Sequence, residues 1–365
     1  MIKPVSGSNQ ISQLVLHGYK SIAECALELG RLNLLIGANG AGKSNFIGFF
    51  RLINRILDQQ LQVAVGQAGG PDALLHFGRK TTEELRAELY FGNNGYRFTL
   101  RPTQDNRMIF YHEALWWNMS GDYHPASGHF ETNYNENRHG SIWEYVVPAM
   151  RSWRVYHFHD TSGSALVKQV HNINDNEYLR GDARNLAAFL LRLRNHHEEH
   201  YRRIVKAIRL VAPFFGDFHL RPTVGNNKKI QLEWTEQRQD EPFTASALSD
   251  GTLRFICLAT VLLQPINFMP AAILIDEPEL GLHPFAISVL AGLMKSASQQ
   301  HQLIVSTQSV ELVNEFDAED LIVVDKQGGA STFKRPDAKE LSEWLAEYSL
   351  GELWKKNLLG GRPGL

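Results

Sequence analysis

Only two cysteines, Cys25 and Cys257, stand in 365 residues. They are too few and too far apart for a CxxC metal knuckle or a disulfide framework, which fits a reducing compartment. Charge of either sign is not in excess. Thirty-seven Lys and Arg against 39 Asp and Glu leave a formal net charge of −2. No global basic field draws in nucleic acid, so any DNA contact requires a local patch. No apolar run approaches the roughly 20 residues of a membrane span. The run "FICLATVLL" (Phe255–Leu263) is too short. The opening "MIKPVSGSNQ" has no apolar core of a signal peptide, so a cytoplasmic location is expected. Internal repeats and low-complexity tracts are also missing. The remaining composition is that of a soluble globular chain, long for one simple domain and short for three.

Apolar periodicity supplies the organisation. Residues 11–29 read as two short strands around "GYKS". "LNLLI" (Leu32–Ile36) is apolar enough for a strand buried on both faces, and "NFIGFFRLINRIL" after it has helical spacing. "ELRAELYFG" and "YRFTLRP" predict a hairpin through "NNG". Residues 110–180 are mixed and hard to assign. "NLAAFLLRLRNHHEEHYRRIVKAIRLVAPFF" (Asn185–Phe215) predicts one helix ended by Pro213. From "LRFICLATVLL" to "LIVVD" helices and strands alternate, including a helix over "VELVNEF". That pattern implies a largely parallel sheet with helices on both faces. The expected fold class is α/β: a P-loop nucleotide-binding sheet with antiparallel N-terminal hairpin strands. The expected domain is split in sequence over 1–110 and 230–345, with a mixed, α-rich insertion over 111–229 and a tail over 346–365.

The segment from Gly37 to Ser44, "GANGAGKS", matches G-x-x-x-x-G-K-[ST] in full, with a strand before it and a helix after. Gly40 and Gly42 let backbone N–H groups converge on phosphate oxygens, and the helix N-terminus adds a favourable dipole. Lys43 is expected to reach the β- and γ-phosphates of ATP, with Ser44 offering an oxygen to Mg²⁺. Asn39 and Asn45 flank these groups. In "AAILIDEPELGLHP" Asp276 ends an apolar strand, where an open α/β sheet places its ligand crevice, and is the expected second Mg²⁺ residue. Glu277 is then the candidate to polarise the attacking water. Glu279 reads equally as a structural acid. In "LIVSTQSVEL" Gln308 is placed to sense the γ-phosphate or position water, and Ser309 reads as a helix cap.

These motifs, with the turn "LSDGT" (Leu248–Thr252), resemble the ABC-type ATPases of the SMC/RecF class. More narrowly, the chain is similar to the compact AAA-domain ATPases related to RecF and to the ATPase half of OLD-family nucleases. "LHGYKSI" and "LGELWKKNLLGGRP" also resemble that family. The resemblance covers nearly the whole chain and is weakest over 60–180. It implies that Ser249 and Gly251 serve the γ-phosphate held by a second copy, so that two copies form a homodimer around two ATP–Mg²⁺. A separate effector, a nuclease or toxin, is implied because no nuclease segment follows "LIVVD". Anti-phage defence is the implied setting, with DNA repair as the alternative. A non-hydrolysing, ATP-dependent interaction module is the other reading. The long interval between Ser44 and Ser249 argues against a transporter motor. Two departures stand out. Gln308 occupies a position often held by His, which points to slow turnover, and no glutamine identifies itself as a Q-loop residue. Asp250 replaces the glycine of the transporter signature and is expected to point away, as a helix cap.

"NHHEEHYRR" is one residue short of H-E-x-x-H and reads as a solvated helix face. The basic residues of the same stretch, Arg192, Arg194, Arg202, Arg203, Lys206 and Arg209, read as a solvated face or a nucleic-acid or partner surface. His159 and Asp160 in "YHFHDTS" are second-rank candidates for the site, and Trp116–Trp117 read as core or as a partner anchor.

Overall fold

The computed structural model describes residues 9–134 and 142–361. The chain forms two compact units: one of residues up to Val155 with Pro270–Leu274 and His301 onward, the other of Tyr156–Met269 with Ile275–Gln300. Along the chain come β1 (Gln13–Tyr19), β2 (Ile22–Glu28), β3 (Leu32–Ile36), α1 (Lys43–Leu57), α2 (Leu61–Ala68) and α3 (Pro71–Leu74). Next are β4 (Leu85–Phe91), β5 (Asn94–Pro102), β6 (Met108–Trp117), β7 (Gly121–Ala126), α4 (Trp143–Arg151) and β8 (Trp153–Tyr156). Then follow β9 (His171–Asn172), α5 (Leu186–His196), α6 (Glu198–Val211), β10 (Phe215–Phe218), β11 (Pro222–Thr223), β12 (Asn226–Ile230), β13 (Glu233–Glu236), β14 (Pro242–Thr244) and α7 (Asp250–Leu263). The chain continues with β15 (Ala272–Asp276), α8 (Pro284–Ser298), β16 (Gln302–Thr307), α9 (Val310–Val313), β17 (Leu321–Gln327), β18 (Ala330–Lys334), α10 (Ala338–Leu345) and α11 (Leu350–Lys355).

Two six-stranded sheets lie in the first unit, except that the last residues of β8 (Tyr156) and of β15 (Ile275 and Asp276) are assigned to the second. One is antiparallel in the order β2-β1-β4-β5-β6-β7, and the other runs β18-β17-β3-β16-β15-β8. Within the second, β3 pairs in parallel with β16 and β17, and β17 pairs antiparallel with β18. β3 is buried at all five positions, as a central parallel strand requires. Its one polar residue, Asn33, is satisfied: its amide donates to Gly30 O and Leu303 O, and its carbonyl accepts from Gly30 N–H. Helix α1 is held by aromatic packing. Phe49 stacks on Phe98 of β5 at 6.4 Å, and Phe46 meets Phe333 of β18 at 5.4 Å.

The second unit contains the three-stranded sheets β10-β13-β14 and β11-β12-β9 with helices α5 to α8. Helix α7 is buried at every position from Leu253 to Leu263, where Arg254 and Thr260 are the two polar residues in an otherwise apolar run.

Two sequence expectations are corrected. The helix over 185–215 is two helices, broken at His197 (φ −141°, ψ 52°). The stripe of Leu186, Leu190 and Leu193 reaches a polar residue at 197, and Glu198 and Glu199 favour a fresh helix start there by opposing the macrodipole. The helix over "VELVNEF" lasts only four residues, because Asn314 caps it and its side-chain oxygen is taken by Gly351 N–H at 2.7 Å. No helix among the described residues is long and apolar enough to cross a membrane.

Candidate functional site

In the first unit, β3 ends at Ile36 and α1 begins at Lys43, so Gly37–Gly42 form the connecting loop. Gly42 caps α1 at φ +119°, a conformation that an L side chain disfavours, and a β-carbon there would collide with Ser331 Oγ. The tip is open: Asn39 and Gly40 are exposed, and a β-carbon on Gly40 would meet nothing within 4 Å. Lys43 is buried and donates to Gly37 O (2.6 Å) and Ala38 O (2.9 Å), so its ammonium lies inside the loop's own curve. Ser44 is exposed in the first turn of α1. The glycine tip, the buried ammonium and the helix N-terminus are donors only, which suits a polyphosphate and a metal-bound oxygen at Ser44.

Asn45 faces another way. Its amide donates to Ser21 Oγ at 2.7 Å, the Ser21 and Ser331 hydroxyls are 2.7 Å apart, and Ser331 Oγ donates to Ala41 O at 2.5 Å. These bonds brace the loop from the β1–β2 turn and from β18, so Asn45 is a brace of the cradle in this structure. Gln308 lies near the loop. Thr307 of β16 is in register with Ile36 of β3, which brings Gln308 to the level of Gly37 at one end of the sheet. Ser309 caps α9, accepting from Leu312 N–H at 3.1 Å.

In the second unit, Asp276 is buried at the end of β15 and Glu277 is half-buried. Glu277 has φ +44°, an uncommon conformation for a residue other than glycine or asparagine, which it shares with seven other non-glycine residues among those described. His159 Nε2–H donates to Asp276 O at 2.8 Å, holding the strand end. His159 therefore supports the site through the backbone. Asp160 serves its own turn: its carboxylate accepts from Ser162 Oγ (2.7 Å) and Ser162 N–H (3.1 Å), which lowers its pKa.

The "LSDGT" turn opens α7. Ser249 is the cap, accepting from Thr252 N–H at 3.2 Å, and it is exposed while the helix behind it is buried. This corrects the expectation for Asp250. It is the first helical residue and exposed, because the shorter Ser249 hydroxyl already satisfies the free N–H. A β-carbon on Gly251 would fall well inside contact with Gly281 O, so only glycine lets the first turn of α7 approach the "ELGLHP" loop.

Sequence reading missed Arg254. This buried guanidinium donates to Phe158 O (3.0 Å), His159 O (3.3 Å) and Leu280 O. It ties the signature helix to the segment holding Asp276 and to the loop after Glu277. Desolvation lowers its pKa. Its sequence signal was slight: a single charge within the run Leu253–Leu263.

Other candidates disperse. Arg192, Arg194 and Arg209 donate to Asn176 O, Leu220 O and Gly216 O, so half of the basic set is tied to backbone. His200 turns to Leu263 O, and His197 packs edge-on against Phe268. Among the described residues no three His, Cys, Asp or Glu side chains group as a metal site. Trp116 packs on Tyr90 at 4.8 Å, whereas Trp117 is 38% exposed.

A strand, a complete phosphate-binding loop and a helix within a partly parallel sheet define a P-loop nucleotide-binding fold. The chain belongs to the family described as "AAA domain, putative AbiEii toxin, Type IV TA system", whose model matches residues 32–314. No curated protein matches it in sequence. Among solved structures it is similar to an Smc head bound to the C-terminal winged-helix domain of ScpA. That match has 17% identity and a TM-score of 0.59, covering 91% of this chain and 99% of that one. A second is an Smc head with an extended coiled coil bound to the C-terminal domain of ScpA, derived from Pyrococcus furiosus (16% identity, 92% and 98% covered, TM-score 0.59). A third is an Smc head with a coiled coil and joint derived from Pyrococcus yayanosii (12%, 92% and 99%, TM-score 0.56). At these identities the likeness is one of fold, that of the Smc heads.

Proposed function

We propose that the protein binds and hydrolyses ATP as a switch that dimerises on ATP and releases on hydrolysis. Lys43 and the N–H groups of Asn39 to Ser44 hold the phosphates, Ser44 and Asp276 hold Mg²⁺, and Glu277 polarises the attacking water. Bound Mg²⁺ offsets the charge of the β- and γ-phosphate oxygens. Gln308 positions water or contacts the γ-phosphate by hydrogen bonding, without carrying a proton, which favours slow turnover.

The observation that carries dimerisation is the exposed Ser249 at the head of the buried helix α7. A hydroxyl and a helix N-terminus facing outward suit an anion supplied from outside the chain. The anion proposed is the γ-phosphate on a second copy, served by Ser249 and Gly251. Closing and opening of the pair would gate a partner effector, a nuclease or toxin, with DNA as a further ligand. The Smc heads of this fold bind ScpA, which supports a protein partner for this chain. Anti-phage defence in the cytoplasm is the proposed setting. A Glu277→Gln variant tests the reading: it is expected to bind ATP, to hydrolyse it at least about a hundredfold more slowly, and to accumulate dimers by size exclusion. Turnover at the wild-type rate would remove Glu277 from its role, and Lys43→Ala is the non-binding control.

A further inference from the structure

The segment "SLGELWKKNLLGG" (Ser349–Gly361) is not absorbed by any of the motifs that hold ATP, yet it touches two of the elements that carry them, both in the first unit. Its first part is α11, fixed by a reciprocal cap between Ser349 and Glu352 and anchored by buried Leu350, Leu353 and Trp354. This helix packs on α9, which starts two residues after Gln308. Gly351 N–H donates to Asn314 Oδ1 at 2.7 Å, and a β-carbon on Gly351 would lie 2.5 Å from Val310 Cγ1. The chain then turns back, with Leu358 N–H donating to Leu353 O at 2.9 Å, and runs to the phosphate loop. There Gly361 O accepts from Ala38 N–H at 2.9 Å. Gly361 is buried at φ +72°, and a β-carbon on it would lie 2.8 Å from Val323 Cγ1 and 3.0 Å from Val324 O.

We infer that Ser349–Gly361 is a strap that positions the nucleotide site, with Gly361 as the positioning residue for the phosphate loop. This rests on the reading of that loop as the ATP site. The Ala38 N–H is the second in the loop, and its bond to Gly361 O fixes the entry of the backbone into the curve that Lys43 closes from inside. The other end of the strap holds α9 behind Gln308. One short segment therefore sets the loop that grips phosphate and the turn that follows the γ-phosphate sensor. A cradle fixed beforehand loses less conformational freedom on binding, so the strap contributes affinity without touching ATP.

The test uses the full chain and fluorescent ATP binding. Gly361→Ala, which places an L residue at φ +72° and costs some stability, is expected to remain folded by far-UV circular dichroism and to raise Kd about tenfold. Combining it with Val323→Ala, which removes the methyl 2.8 Å from the new β-carbon, should restore part of the affinity, while Val323→Ala alone binds as wild type. A folded Gly361→Ala variant that binds like wild type overturns the strap. Failure of wild type to bind ATP, with Lys43→Ala no different, overturns the underlying site instead. Should Gly361→Ala not fold, hydrogen exchange of the unaltered protein decides. ATP should slow exchange in the peptide covering 357–361 as well as in 37–44, and slowing in 37–44 alone contradicts the strap.

Discussion

Glu277 offers a prediction in which stability and activity move apart. Its φ of +44° places an L residue in the left-handed region, at a cost of about 1 kcal/mol or more. Two substitutions separate this strain from the carboxylate. Glu277→Gln keeps the β-carbon and hence the strain. Glu277→Gly removes it, recovering about 1–2 kcal/mol against roughly 0.5–1 kcal/mol of additional chain entropy lost on folding. The glycine variant should therefore equal the glutamine variant or exceed it by up to about 1.5 kcal/mol. At an unstrained strand end the sign reverses, and glycine is the weaker by about 0.5–1 kcal/mol. Because the chain has two compact units, a single unfolding transition cannot be assumed. The assay is hydrogen exchange at increasing urea, read on peptides of α7 and α8 in the unit that holds Glu277. Both variants should retain ATP binding and lose turnover. A glycine variant clearly less stable than the glutamine variant would refute the claim that this position stores strain.

Arg254→Met should destabilise the second unit by about 1–3 kcal/mol, because it strands the buried Phe158 carbonyl and removes the bonds to the part-buried His159 and Leu280 carbonyls. Exchange of α7 peptides measures this, and a loss below about 1 kcal/mol would mean water replaces the guanidinium. Cys25 and Cys257 are buried, and burial pushes both thiols up to about 12. At pH 8 roughly one in ten thousand of each is thiolate. Neither should be alkylated by iodoacetamide in the native protein, both should be in guanidinium, and native labelling within minutes would contradict their burial.

Local signals in the sequence specify much of the fold. Gly37–Ser44 needs only its flanking strand and helix to be recognised, and β3 and β16 are apolar runs whose neighbours are polar. The place of Asp276 and Glu277 at a strand end is legible in "AAILIDE". What escaped depends on residues far apart in the chain. Asn45 resembled a ligand residue in the motif, but its amide is directed to Ser21, and the hydroxyl beside that belongs to Ser331. Arg254 reads as an anomaly in a mostly apolar run until Phe158, His159 and Leu280 are placed around it. The break at His197 was legible in part, since the apolar stripe stops there, but the overall polarity of "NHHEEH" hid it as a solvated stretch. The partnership of Gly361 with Ala38 spans almost the whole chain, and no periodicity announces it.

The central claim is that one copy's phosphate loop works with another copy's signature turn. Mixing two inactive variants tests it most directly. Lys43→Ala lacks a working loop and Ser249→Arg a working turn, and each alone should hydrolyse no ATP. In a mixed pair, the loop of the Ser249→Arg copy meets the turn of the Lys43→Ala copy, leaving one intact site. An equal mixture should recover about a quarter of wild-type turnover if pairs form at random. Full activity of Ser249→Arg by itself, or a mixture of folded, ATP-binding proteins that stays inactive, would contradict the composite site.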